Sequence, residues 1–178
     1  MRDVRQSVIS LLGAAAVVFL DQLTKSMVEN ALALGASVFI VPILDLVHVR
    51  NTGAAFSFLA GASGWQRELF IGLGLFASVW IVWMLVRAER GQAIFCAALG
   101  LILGGAIGNV IDRARLGGVT DYLHFHWGQH YFPAFNVADS AITCGAILLI
   151  LDALWQGAKQ RRQSKVCPRA DDRPRQPT

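Results

Sequence analysis

Uncharged apolar stretches long enough to cross a bilayer alternate along this chain with segments that collect its polar residues. Leu69 to Val86 runs 18 residues without a charge, and Ala93 to Ile111 runs 19. At about 1.5 Å per residue, such stretches reach across the roughly 30 Å hydrocarbon core of a membrane. Two further stretches are less clean. Val8 to Leu20 is apolar and continues through Asp21, Leu23 and Met27; Val137 to about Trp155 has Asp139 near its start and Asp152 near its end. Those positions put the carboxylates near the interfaces rather than at the midplane. The pattern predicts helices over about 8–28, 68–86, 92–112 and 137–156, in a single domain spanning 1–158. The two longer connections behave differently. Val38 to Val49 is rich in Val, Ile, Phe and Leu, and Asp121 to Phe135 is rich in aromatics, so both read as strand-forming. The expected fold is a mainly α membrane protein, with four transmembrane helices and a small β-containing platform and short helix on one side. No internal repeat is evident.

The first stretch has a competing reading. Arg2 and Arg5 followed by a 13-residue apolar run resemble a cleavable leader, with Ala14-Ala15-Ala16 inside it. A cleavage site should follow the apolar run, but Asp21-Gln22-Leu23-Thr24-Lys25 follows it instead.

Composition agrees with a membrane protein. Hydrophobic residues make up 54% of the chain and charged residues 16%, against about a quarter in soluble domains. The net charge of +4 does not indicate nucleic acid, because the cations do not cluster on a folded unit. Seven of the 16 Lys and Arg residues fall from Lys159 onward, in a segment without Leu, Ile or Phe that holds three of the five prolines. Residues 159–178 therefore read as a disordered basic tail. Arg2, Arg5, Arg87, Arg90 and this tail lie on one side of a four-crossing topology, and the positive-inside rule makes that side cytoplasmic. Cys96 and Cys144 sit in apolar runs and Cys167 in the tail, which excludes a disulfide framework, a zinc site and a thiol oxidoreductase of the membrane. No metal or other cofactor is expected, and a monomer is.

Ionisable residues at membrane depth are costly and are functional candidates by default. Asp21, Lys25, Asn51, Asn109, Asp112, Arg113, Asp121, Asn136 and Asp139 all fall at the non-cytoplasmic helix ends or in the segments beside them. Several also have plainer readings. Asp21 and Lys25, four apart with the acid first, suit a surface ion pair. Asn136 suits a helix N-cap three residues before an acid. Asp112-Arg113 suits an interfacial charge pair. Gly100, Gly104 and Gly108 make two overlapping GxxxG spacings, which suit close helix packing. His48, His124, His126 and His130 lack ligand spacing and suit loops or the interface.

Asp121 and Asp139 differ as a pair. Two carboxylates within hydrogen-bond reach share one proton across neutral pH. The ionised member can then take a proton from water while the protonated one polarises a scissile carbonyl, the division of labour of an aspartic protease. The positive end of the fourth helix favours the ionised form at Asp139.

Five blocks make the chain recognisable: Asp21-Gln22-Leu23-Thr24-Lys25, Asn51-Thr52-Gly53-Ala54-Ala55-Phe56-Ser57, Gly104 to Arg113, Val119-Thr120-Asp121-Tyr122, and Phe135-Asn136-Val137-Ala138-Asp139-Ser140. Together they resemble bacterial lipoprotein signal peptidase, or signal peptidase II, over about Val8 to Trp155. The resemblance implies an intramembrane aspartic endopeptidase of the bacterial inner membrane. It would remove the signal peptide from diacylglyceryl-modified prolipoproteins, cutting just before the lipidated cysteine. It implies Asp121 and Asp139 as the catalytic pair. Asp21, Lys25, Asn51, Gly53, Gly105, Gly108, Asn109, Asp112, Arg113 and Asn136 would bind substrate or support that pair. It further implies prolipoproteins and membrane lipids as partners, inhibition by globomycin, a site near the outer leaflet, and a first helix that is retained. Tyr122 stands where the family often has Phe. The segment Gly53 to Leu59, flanked by Gly61 and Gly64, is a candidate cover for the cleft.

Other classes fit less well. A transporter or proton channel needs polar residues through the midplane and the cytoplasmic half, where the second and third stretches carry none. A scaffold would explain the glycines and would tolerate Asn at positions 121 and 139. A serine-type protease would need a base for Ser57, and none is identifiable.

Overall fold

A computed structural model describes residues 3–53 and 64–166. The elements run α1 (Val4–Ala31), β1 (Ser37–Val41), β2 (Leu44–Asn51), α2 (Trp65–Arg87), α3 (Ala93–Leu116), β3 (Val119–Trp127), β4 (His130–Tyr131) and α4 (Val137–Val166). The four helices are each long and apolar enough to cross a membrane.

Local chemistry sets the helix ends. Asp3 caps α1 by accepting the Gln6 backbone N–H at 3.3 Å. The helix then continues unbroken through Asp21 and Lys25. α3 stops at Gly117, which takes a left-handed φ of 76° and donates its N–H to Arg113 O. Asn136 caps α4 through its Oδ1, which accepts the Asp139 N–H at 2.9 Å.

α4 corrects one expectation. It runs to Val166, into the segment whose composition predicted disorder from residue 159. Lys159, Gln160, Arg161, Arg162 and Gln163 are good helix formers, so a helix already begun continues through them. The rest of the predicted tail, 167–178, lies outside the described residues. So does most of the candidate cover, at 54–63, together with Ser57. Among the described residues no short helix accompanies the sheet.

α3 is the most buried helix and the axis of the bundle. Its glycines let the neighbouring backbones approach. A Cβ at Gly100 would lie 2.7 Å from Ser10 O of α1, and one at Gly104 would lie 2.7 Å from Ala14 O. Gly105 meets Ala138 O of α4, and Gly145 of α4 meets Ala98 O of α3. Contact between small residues is how helices associate where lipid supplies no hydrophobic drive. Leu85, Cys96, Leu99 and Leu103 form the core at the other end. Leu12, Phe19, Leu73, Phe76, Val79 and Leu154 point outward, as lipid contact requires.

The strands form one antiparallel sheet in the order β1-β2-β3-β4. Leu46 pairs with Leu123, but Val49 pairs with Asp121, so β2 carries one extra residue between them. This bulge has a consequence for the site. A one-residue register change moves every later side chain to the opposite face. It puts Asn51 on the same face as Asp121, two residues beyond Asp121's partner Val49. His48, within the bulge, ties it to the end of α1: its Nδ1 lies 2.8 Å from Leu32 O.

Candidate active site

The polar residues singled out by position do converge, where α1, the C-terminal part of α3, the first turn of α4 and the β2–β3 pair meet. Asp121 leaves β3 with both oxygens occupied. Asn136 Nδ2 donates to Oδ1 at 2.8 Å, and Asn51 Nδ2 donates to Oδ2 at 3.1 Å. Asn51 is itself oriented by the Gly53 N–H, which donates to its Oδ1 at 3.0 Å. Asp139, half-buried at the third residue of α4, accepts from Asn109 Nδ2 at 2.8 Å.

Asn136 therefore holds both carboxylate-bearing segments. Its amide nitrogen binds Asp121 and Thr120 O, while its oxygen caps the Asp139 N–H. The backbone places it there: Phe135 pairs with Leu123 through two backbone hydrogen bonds, of 2.9 and 3.0 Å, so the chain enters α4 from alongside β3. Asp121 is 3% exposed. Burial first, and then the charge of Asp139, push its carboxyl up to about 7, against the lowering effect of the Asn51 and Asn136 hydrogen bonds.

Behind this pair lies a fully enclosed ion cluster. Lys25 Nζ is 2.8 Å from Asp21 Oδ2 and 2.8 Å from Asp112 Oδ2, and it donates to Asn109 Oδ1 at 3.1 Å. The ammonium thus spends its three protons on three acceptors. Asp21 Oδ1 accepts the Ala138 N–H, and Asp112 Oδ2 accepts the Thr120 N–H. Each acid therefore fixes backbone one residue away from a site aspartate. Gly108 leaves room for this: a Cβ there would fall 2.5 Å from Asp21 Oδ2. The surface reading of Asp21 and Lys25 is overturned, since their side chains are 0% and 2% exposed.

Asp112 and Arg113 do not pair with each other either. Successive helix residues point about 100° apart; Asp112 faces Lys25, whereas Arg113 Nη2 donates to Gly53 O at 3.0 Å and its guanidinium lies over Phe70. Arg113 thereby ties the β2 end to α3. Gly105 packs α3 against α4 one turn below Asn109 and contributes space rather than a polar group. All twelve predicted positions thus belong to one assembly.

Other members of this assembly were not singled out. Gln22 Nε2 donates to Asp112 Oδ1 at 2.8 Å, Thr120 Oγ1 donates to Glu29 Oε1 at 2.6 Å, and Tyr122 OH donates to Thr24 Oγ1 at 2.8 Å. Spacing held a signal for Glu29: Asp21, Lys25 and Glu29 recur every four residues and so share one face of α1.

Known proteins resemble this chain over most of its length. Residues 13–155 match the family described as Signal peptidase (SPase) II. The lipoprotein signal peptidase of Paraburkholderia phymatum is 56% identical over 144 residues, covering 80% of this chain and 86% of that protein. That of Cupriavidus taiwanensis is 52% identical over 141 residues, covering 79% and 80%. A bacterial membrane enzyme solved by the in meso method at 2.3 Å superposes with a TM-score of 0.73 at 27% identity, covering 96% of this chain and 94% of that one. A second, solved at 1.9 Å, gives 0.71 at 32% identity, covering 82% and 92%.

Proposed function

The chain belongs to the signal peptidase II family, and from that premise we propose that it is an aspartic endopeptidase whose catalytic pair is Asp121 and Asp139. It is a multi-pass bacterial membrane protease that processes prolipoproteins. The substrate is a prolipoprotein whose cysteine carries a diacylglyceryl group, cut on the N-terminal side of that cysteine. The observation that carries the aspartic assignment is the double hold of Asn136, which fixes Asp121 by its side chain and Asp139 by its backbone.

The chemistry follows from two carboxyls sharing one proton. Ionised Asp139 takes a proton from water, and the water oxygen bonds to the scissile carbonyl carbon. Asp121 gives its proton to the carbonyl oxygen, leaving a neutral tetrahedral diol. The proton held by Asp139 then passes to the departing amine as the C–N bond breaks. Asp121 recovers a proton from the diol as the new carboxyl group forms. One peptide bond and one water become a carboxyl and an amine, and the pair returns to its starting state. Asn51, Asn109 and Asn136 hold the two carboxyls. Arg113 holds the Gly53 end of the cleft, and Asp21, Lys25, Asp112, Gly105 and Gly108 hold the backbone beneath.

The cation distribution supports cytoplasmic termini and a site near the outer leaflet. There acyl chains remain in lipid while water reaches the carboxyls, and globomycin would compete for the same cleft. The test is cleavage of a diacylglyceryl prolipoprotein by the purified enzyme in detergent, with and without hydroxylamine. The expected products are a signal peptide with a free carboxylate and a polypeptide that begins at the lipidated cysteine. A signal-peptide hydroxamate would reveal an acyl-enzyme and contradict direct attack by water.

A further inference from the structure

The buried cluster leaves Lys25 with a task that two ion pairs do not exhaust. Its third proton goes to Asn109 Oδ1 at 3.1 Å, and Asn109 Nδ2 donates in turn to Asp139 Oδ1 at 2.8 Å. An ammonium has only donors, so Lys25 can face only the oxygen of that amide. The NH2 group is thereby turned toward Asp139, and the adjoining positive charge polarises it into a stronger donor. Asp121 has a different surrounding: two neutral amides, Asn51 and Asn136, whose donation a protonated carboxyl also accepts. Resting on Asp121 and Asp139 being the catalytic pair, we propose that Lys25, acting through Asn109, assigns the pair's resting negative charge to Asp139 and leaves the proton on Asp121.

The neighbouring charges are compatible with that assignment. α1 presents Asp21, Lys25 and Glu29; α3 presents Asp112 and Arg113; β2 presents Arg50, near Glu29. Asp21 and Asp112 are directly paired with Lys25. Arg113 directs its described hydrogen bonds to Gly53 O and Asn109 O, and its charge acts on Asp139 more than on Asp121, in the same sense as the relay from Lys25. The Asp139 N–H end of α4 adds a positive dipole on the same side as the relay. Lys25 is a positioning residue here, because it acts on Asp139 only through Asn109.

The experiment is the pH profile of kcat on lipidated prolipoprotein for the full-length enzyme and for Lys25→Met and Asn109→Ala. Removing a charge that favours the singly ionised pair makes both ionisations harder. Both limbs of the bell should therefore move to higher pH, by about one unit for Lys25→Met. Activity well down the acid limb should fall roughly tenfold and recover as the pH is raised. Asn109→Ala retains both ion pairs of Lys25 and should move the limbs the same way by a smaller amount. It decides alone if Lys25→Met does not fold. Profiles that only lose height, with both limbs in place, would overturn the proposal. Cleavage surviving in Asp121→Asn and Asp139→Asn would instead remove the catalytic pair on which it rests.

Discussion

Asn136→Asp separates the two jobs of Asn136 without changing its shape. Asp is as good an N-cap as Asn, so the 2.9 Å bond from the Asp139 N–H survives and α4 should start at the same residue. What disappears is the Nδ2 donor to Asp121 Oδ1 and to Thr120 O. A lost hydrogen bond to a carboxyl is worth about 1.5–3 kcal/mol, which alone lowers the rate roughly 10- to 150-fold. The new carboxylate would also face Asp121 across the 2.8 Å now bridged by that donor. Such repulsion favours protonation of one of the two, and a protonated residue 136 can donate again. Cleavage should therefore be strongly reduced at pH 7 and regain part of its rate as the pH is lowered, and the melting temperature in detergent should fall with it, because the lost hydrogen bonds are buried. The assay is initial-rate release of signal peptide across pH, alongside a melting curve. Activity within twofold of wild type at pH 7 would refute the bridging role given to Asn136.

Other expectations follow from the same geometry. Gly105→Ala drives a methyl group into Ala138 O at the α3–α4 contact; overpacking of this kind costs about 1–3 kcal/mol and should appear as a lower melting temperature in detergent. The proton on Asp121 is held up to about pH 7 by burial and by Asp139. Cleavage that needs that proton should therefore decline as the pH rises above about 7, and a rate flat to pH 9 would count against it. Tyr122→Phe removes the hydroxyl that bonds Thr24 Oγ1. It should lower stability by about 1 kcal/mol and leave the cut site unchanged, measured by unfolding and product mass.

The helices were legible because a bilayer imposes a length and an apolarity that any reader of hydropathy can apply. The layer of the site was legible for the same reason, since Asp21, Asn109, Asp112 and Asp139 are too costly to leave in lipid without a use. Spacing alone cannot separate an exposed ion pair from a buried one. Asp21 and Lys25 satisfy the i,i+4 rule either way, and only Asp112, supplied by α3 across the interface, makes the pair a buried cluster. The β2 bulge was illegible because Leu46 to Val49 contains no Gly, Pro, Asn or Asp, yet it puts Asn51 on the face of Asp121. Thr120 stood in a recognised block but received no role of its own, because its contribution is largely backbone: its N–H goes to Asp112 and its carbonyl accepts from Asn136. The end of α4 was misread because a charged, proline-bearing tail and a helical extension share their first residues.

The central claim is that Asp121 and Asp139 carry the reaction together. It is tested most directly by cleavage of a diacylglyceryl prolipoprotein by Asp121→Asn and Asp139→Asn, each checked for native melting behaviour. Asn keeps the shape of the carboxyl but can neither take the proton of water nor return one to the carbonyl oxygen. Both variants are predicted to fold, to bind substrate and to release no signal peptide above background. Cleavage at near wild-type rate by either folded variant would contradict the account.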